Sequence, residues 1–271
     1  MFRTITIRIL LALSVLLSVL FAYYFFIALD SVMKPKAGGI TETMESPPSE
    51  TANLESLTLV GIGDSLTRGI GDETSEGYFQ KVRNHLADTL QQEVTATNLA
   101  VSGATTDDLL KVLAGKGAVH SLELADIILL TIGANDLSPG MMNISGDVLA
   151  EFEADPQTFV DAVEEILDKL GEINPDAQIY WVGLYNPFGH IEQLKEVSKF
   201  IINWNHALEQ VAIAYPNAKV IPAYDLFLDN EKDYLSIDQY HPNQIGYQAM
   251  ADRVSEAILV DLERLAGTDN E

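Results

Sequence analysis

The sequence predicts an α/β fold in which a mostly parallel sheet is covered by helices on both faces. Three observations carry this. Five short apolar runs recur, at Leu57–Ile62, Val94–Val101, Ile127–Ile132, Ile179–Leu184 and Lys219–Tyr224. Segments of helical periodicity lie between them, the alternation that builds parallel sheets. The third run, in "ADIILLTIGAND", is apolar without alternation, as a central strand buried on both faces should be.

Taken in order, the first strand holds Leu57, Leu59, Val60 and Ile62 and stops at Gly63-Asp64-Ser65, ahead of a glycine-rich, acidic loop. The second and third strands end at "SG" (102–103) and "GAND" (133–136). Phe159, Val160, Val163, Ile166, Leu167 and Leu170 then form one face of a helix. After the fourth strand, Leu194, Val197, Ile201, Trp204, Leu208 and Val211 repeat by three and four, another buried stripe. The fifth strand leads through "SIDQYHPNQIGY" into a last helix with Tyr247, Met250, Val254 and Ile258 inward.

The first 33 residues are set apart from this pattern. Arg3 and Arg8 precede an uncharged run, Ile9–Leu29, which is 21 residues long. As a helix it would extend about 31 Å, enough to cross a bilayer. Tyr23 and Tyr24 suit the far interface. An uncleaved anchor with the remainder outside the cytoplasm is expected; a cleaved secretory signal is the alternative. Residues 34–56, rich in Pro, Gly, Ser, Thr and Glu, read as a solvated linker, which leaves 57–271 as the globular domain.

Composition narrows the chemistry. The chain has no cysteine, so disulfides, cysteine-ligated zinc and a thiol nucleophile are excluded. A net charge of −24 disfavours nucleic acid as a partner. No His/Asp/Glu pair has a familiar metal-ligand spacing, and no cofactor is expected.

Ligands of such sheets bind beyond the carboxyl ends of the strands. The residues gathered there are Ser65, Gly103, Asn135 and, before the last helix, Asp238 and His241. They are what ester hydrolysis needs: a hydroxyl nucleophile, a base, an acid to orient the base, and donors for an oxyanion. Pro242 biases His241 towards an extended backbone and suits the start of a helix. Asp64 and Asp136 are expected to make local backbone hydrogen bonds, and His85, His120, His190 and His206 to be structural or surface residues.

Four blocks together resemble the GDSL, or SGNH, hydrolases: "GDSL" at 63–66, "NLAVSGATT" at 98–106, "GAND" at 133–136 and "DQYHPN" at 238–243, in that family's order. The likeness runs from about Leu57 to Leu265. It implies a flavodoxin-like three-layer α/β/α sandwich, a Ser65–His241–Asp238 triad, and an oxyanion hole formed by Ser65 N–H, Gly103 N–H and Asn135. It also implies an esterase or lipase, with carbohydrate O-acetylesterases as an alternative within the family. Phe79, Phe188 and "SPGMMNISG" (138–146) are candidates for an acyl pocket.

Two readings from other classes compete. "GIGDSL" begins like a dinucleotide-binding turn, but Leu66 stands where the third glycine belongs, and Asp64, Asp72 and Glu73 would repel a phosphate. A catalytically silent, membrane-tethered binding module would have no use for the intact set of five site residues.

Overall fold

The computed structural model describes residues 56–137, 156–194 and 196–268. The expected anchor (1–33), the linker up to residue 55 and the stretch 138–146 lie outside the described residues. Among the described residues, no helix is long and apolar enough to cross a membrane.

In chain order the elements are β1 (Leu57–Gly63), α1 (Ser65–Arg68), α2 (Gly77–Leu90), β2 (Val94–Asn98), α3 (Thr106–Leu113), α4 (Lys116–Glu123), β3 (Ile127–Thr131) and α5 (Ala134–Leu137). They continue with α6 (Pro156–Ile173), β4 (Gln178–Val182), α7 (Val197–Ala212), β5 (Ala218–Ile221), α8 (Tyr224–Phe227), α9 (Glu231–Tyr234) and α10 (Gln244–Thr268). The five strands pair in the order β2-β1-β3-β4-β5, and every pairing is parallel. The expected α/β sandwich is therefore present, with the flavodoxin-like strand order.

Strand alternation divides the core into two layers. Val60, Ile62, Ile128, Leu130, Ile179 and Trp181 face one side, under α3, α4, α6 and α7. Leu59, Ile127, Leu129, Tyr180 and Val182 face the other, under α2 and α10. Each central strand is thus apolar on both faces, the reason its sequence does not alternate.

Three strands have ends that differ from the apolar runs. β2 stops at Asn98, whose side chain donates to Thr67 O at 2.7 Å and accepts from Ala100 N at 3.0 Å. β4 stops at Val182 because Asn205 of α7 takes over the ladder: its Oδ1 accepts from Leu184 N and its Nδ2 donates to Leu184 O, both at 2.8 Å. β5 stops at Ile221 because Pro222, which follows, has no N–H to continue the ladder.

Strand order reverses between β1 and β3, on either side of the first strand. In sheets of this kind that is the place where a crevice opens at the carboxyl ends. Ser65 follows β1, Asn135 follows β3, and the loop before α10 closes over them.

Candidate active site

The turn after β1 depends on a glycine. Gly63 has φ +115°, and a Cβ there would lie 1.8 Å from Thr131 O. With no side chain in the way, Asp64 N donates to Thr131 O at 2.9 Å, holding the turn against β3. Asp64 Oδ1 then accepts from Leu66 N at 3.0 Å and from Thr131 Oγ1 at 2.7 Å. This caps α1, whose first residue is Ser65. Thr67 Oγ1 continues the buried chain to Thr131 Oγ1 at 2.7 Å and Tyr78 OH at 2.8 Å. Asp64 therefore does more than the local bonding expected of it; it joins two strand ends. Its Oδ2 has no partner among the described residues, and burial pushes its carboxyl up to about 6 despite the hydrogen bonds on Oδ1.

The loop before α10 is organised by Asp238. Its Oδ1 accepts from Ser236 Oγ at 2.8 Å and from the backbone N–H groups of Tyr240 and His241 at 2.9 Å each. Its Oδ2 lies 2.7 Å from His241 Nδ1. Partial burial opposes its charge, but the bonds from the His241 ring and from these N–H groups outweigh that and hold the carboxyl down to about 2. An ionised Asp238 only accepts, so the imidazole carries its proton on Nδ1. His241 Nε2, 2.8 Å from Ser65 Oγ, is then free to accept from the hydroxyl. Asp238 does not cap α10; Asn243 does, accepting from Ile245 N and Gly246 N.

The glycine-rich loop braces this histidine. Gly71 has φ +95°, and a Cβ there would meet Pro242 O at 2.5 Å and His241 Cβ at 2.7 Å. On one side, Ile70 N donates to Ser65 O at 3.0 Å, and Tyr247 OH of α10 donates to Ile70 O at 2.6 Å. On the other, Asp72 gathers the loop, accepting from Thr74 N, Thr74 Oγ1 and Gly77 N at 2.9, 2.7 and 3.0 Å. Tyr185 OH donates to Tyr240 O at 2.6 Å and fixes the histidine loop from β4's side. Gly71 and Tyr185 escaped the sequence reading. The spacing of glycines in "RGIGDETSEG" was the available signal for Gly71; nothing in the sequence marked Tyr185.

Gly103 and Asn135 come from neighbouring loops that are tied together. Asn135 Nδ2 donates to Ala104 O at 2.9 Å, which leaves its second N–H unused by that bond. Gly103 is exposed, with φ +79° and open space where a Cβ would stand. Asp136 accepts from Thr106 N at 3.0 Å and from Thr106 Oγ1, pinning α3 to the loop after β3. That contact bridges thirty residues, so the expectation of a local bond is corrected.

A cleft opens beside Ser65, walled by Leu66, Ala134, Leu137, Leu184, Pro187 and Ile201, with Asp64, Tyr185 and Tyr240 completing it. Phe79 takes no part: it packs in the core on the α2 face, over Gly61. Phe188 is buried behind the cleft, its ring 6.4 Å from that of Tyr240. The third acyl-pocket candidate, 138–146, lies outside the described residues. His85, His120, His190 and His206 are all exposed. Among the described residues, no group of three or more His, Asp or Glu side chains could hold a metal ion.

The chain is similar to several known proteins. The family model of the GDSL-like lipase/acylhydrolase family matches residues 62–249, a span that takes in all five site residues. An uncharacterized protein of Bacillus subtilis, YpmR, is 33% identical over 215 residues, covering 77% of this chain and 84% of that protein. The spore germination lipase LipC of Bacillus licheniformis is 32% identical over 213 residues, covering 74% and 96% respectively. The crystal structure of the lipase Lip_vut3, from a goat rumen metagenome, is 31% identical, with a TM-score of 0.62 over 74% of this chain and 97% of that one.

Proposed function

The chain belongs to the GDSL-like lipase/acylhydrolase family, and from that premise we propose that it is a serine hydrolase of acyl esters working through Ser65, His241 and Asp238. That it is an ester hydrolase follows from the family; the roles of individual residues and the substrate are our reading. The observation that carries it is the unbroken relay from Asp238 Oδ2 to His241 Nδ1 (2.7 Å) and from His241 Nε2 to Ser65 Oγ (2.8 Å).

Ser65 Oγ attacks the ester carbonyl carbon while its proton passes to His241 Nε2. Asp238 stabilises the imidazolium and keeps the ring in place. Ser65 N–H, Gly103 N–H and the free Asn135 N–H take up the oxyanion charge. The imidazolium gives its proton to the departing alkoxide, and an acyl-serine remains. Water, deprotonated by His241, attacks the acyl carbon; the acid leaves and Ser65 is restored.

The aliphatic walls of the cleft support an apolar acyl chain over an acetyl group on a carbohydrate. The uncharged run after Arg8 supports a position outside the cytoplasm, tethered at the membrane. A mature N-terminus near residue 38 in the native host would replace the tether by secretion.

The test is labelling with a fluorophosphonate, which requires an activated serine, together with hydrolysis of an acyl-ester series. The wild-type chain should be labelled and should favour esters longer than acetyl. Ser65→Ala should fold normally, escape labelling and lose nearly all activity. Ser65→Ala combined with His241→Ala should be scarcely worse than either alone, because the triad acts as a unit. Intact labelling of Ser65→Ala, or losses that multiply, would overturn the assignment.

A further inference from the structure

Exposed aliphatic side chains standing singly are ordinary on a soluble surface. Leu124 and Ile213 are of that kind, at the end of the sheet far from Ser65. A different arrangement surrounds the site. Three of the loops that supply or brace site residues carry an exposed aliphatic: Ile70 beside Ser65, Val101 two residues before Gly103, and Ile237 next to Asp238. Ile245, in the first turn of α10, stands four residues beyond His241.

Backbone bonds bring these loops together. Val101 N donates to Gly63 O at 2.8 Å, and Ile70 N to Ser65 O at 3.0 Å. Ser236, the neighbour of Ile237, packs against Gly71, the neighbour of Ile70. Ile237 is 99% exposed, so it contributes nothing to the core. Its loop is already shaped by Asp238, so the fold gives no reason for an aliphatic side chain there.

We propose that Ile70, Val101, Ile237 and Ile245 form a rim that settles onto the surface of an uncharged or zwitterionic lipid aggregate and admits its esters to the cleft beside Ser65. This rests on the ester-hydrolase reading above and deepens it, naming an aggregated lipid phase as the form of the substrate. Three features select that occupant. The rim's loops adjoin Ser65, which borders a cleft lined mainly by apolar side chains, so an acyl chain leaving lipid enters largely apolar surroundings. Exposed Glu73 lies on the loop that carries Ile70, exposed Asp107 lies in the first turn of α3 just after the Gly103 loop, and the chain carries −24, which turns an anionic surface away. The uncharged run Ile9–Leu29 also suits a bilayer, so the chain itself supplies a reason to be at a lipid surface.

The experiment measures the full-length chain on tributyrin, an uncharged ester, below and above the concentration at which it passes from solution to emulsion. The wild-type rate should rise at least about tenfold across that point, the gain expected when one isoleucine-sized side chain leaves water. Ile237→Ser with Val101→Ser should keep the rate on dissolved ester within about twofold and lose most of the rise. Ile213→Ser with Leu124→Ser, equally conservative but at the far end, should keep both. Adding phosphatidylglycerol to the emulsion should shrink the rise. A rise that survives in the rim variant, is lost equally in the far-end variant, grows with anionic lipid, or is missing in the wild type overturns the rim. No hydrolysis of dissolved tributyrin by the wild type would instead overturn the acyl-ester reading beneath it.

Discussion

Asp64→Asn probes the turn that holds Ser65. In the folded chain burial pushes the Asp64 carboxyl up to about 6, against an ordinary value of 3.8, with no partner for its Oδ2 among the described residues. An acid whose folded pKa is raised costs the native state nothing below its unfolded pKa. It costs progressively more as pH rises from about 4 to 6, and the full amount above that. A shift of about two units corresponds to about 3 kcal/mol. Asparagine cannot ionise, and its oxygen can still accept from Leu66 N and Thr131 Oγ1. Its NH2 would replace the bare oxygen at a fixed cost of about 1–3 kcal/mol if it finds no acceptor. That cost does not depend on pH, so the informative quantity is a double difference: variant minus wild type at pH 8, less the same difference at pH 4. We expect about 2–3 kcal/mol in favour of the variant, somewhat less than the full shift because the unfolded Asp64 is already partly ionised at pH 4. For a domain of about 200 residues this is a relative gain of roughly 4–12 °C in Tm. Denaturant melts at the two pH values measure it. Asp136, whose charge also raises Asp64, is present in both chains and cancels except through that coupling. A stability difference that is the same at pH 4 and pH 8 would refute the buried, ionised carboxylate.

Three further substitutions address the site directly. Asp238→Asn should lower kcat by on the order of 10⁴, because an amide NH2 facing Nδ1 moves the ring proton to Nε2, where Ser65 needs an acceptor; steady-state kinetics on a soluble ester decide this. The same residue is held near 2 in the fold, so its contribution to stability is complete above pH 4 and is lost as pH falls towards 2; acid melts of the wild type but not of Asp238→Asn should show that loss. Asn135→Ala should lower kcat by on the order of 10²–10³ with a smaller change in KM, and a folded variant with unchanged kcat removes Asn135 from the oxyanion hole. Gly71→Ala puts a methyl within 2.7 Å of His241 Cβ, and the resulting displacement of the ring should cost on the order of 10² in kcat while KM moves little.

Much of the fold was legible because its central strands have no choice. β1 and β3 are buried on both faces along most of their length, so their residues are apolar in long runs, and the helical stripes of α6, α7 and α10 follow from the same burial. Strand ends were less legible because side chains from elsewhere set them. Nothing local in the fourth run says that Asn205 will take over its ladder two residues early. The site divides in the same way. Ser65, Gly103, Asn135, Asp238 and His241 could be singled out because ester chemistry needs particular residue types after the strands and before the last helix, and the structure brings Ser65, His241 and Asp238 into hydrogen-bond contact. Asp136 looked local because its partner, Thr106, is visible only once the loops after β2 and β3 meet. Phe79 looked like a candidate wall residue, but α2 turns it onto the opposite face of the sheet. Gly71 and Tyr185 act through contacts with a loop well over a hundred and over fifty residues away, respectively, which no spacing rule reaches.

The glycine, acid and serine that end β1 can now be read as one device. Gly63 removes the side chain that would block Thr131 O, so the backbone of the turn can bond to β3. Asp64 uses that approach to clasp Thr131 Oγ1 and cap α1 with a single oxygen. Ser65 is then presented on a turn whose position is set by two strands rather than by one loop. The histidine is held by the same logic from the far side, since Gly71 allows the nucleophile loop to lie directly against His241 and Pro242. Both approaches are closer than any side chain would permit, and both lie within a few residues of Ser65. The 2.8 Å bond between Ser65 and His241 thus rests on two missing methyl groups, one on each side of the nucleophile. That is why the loop after the strand is rich in glycine, and why a single added carbon at Gly71 should harm catalysis more than many larger changes on the surface.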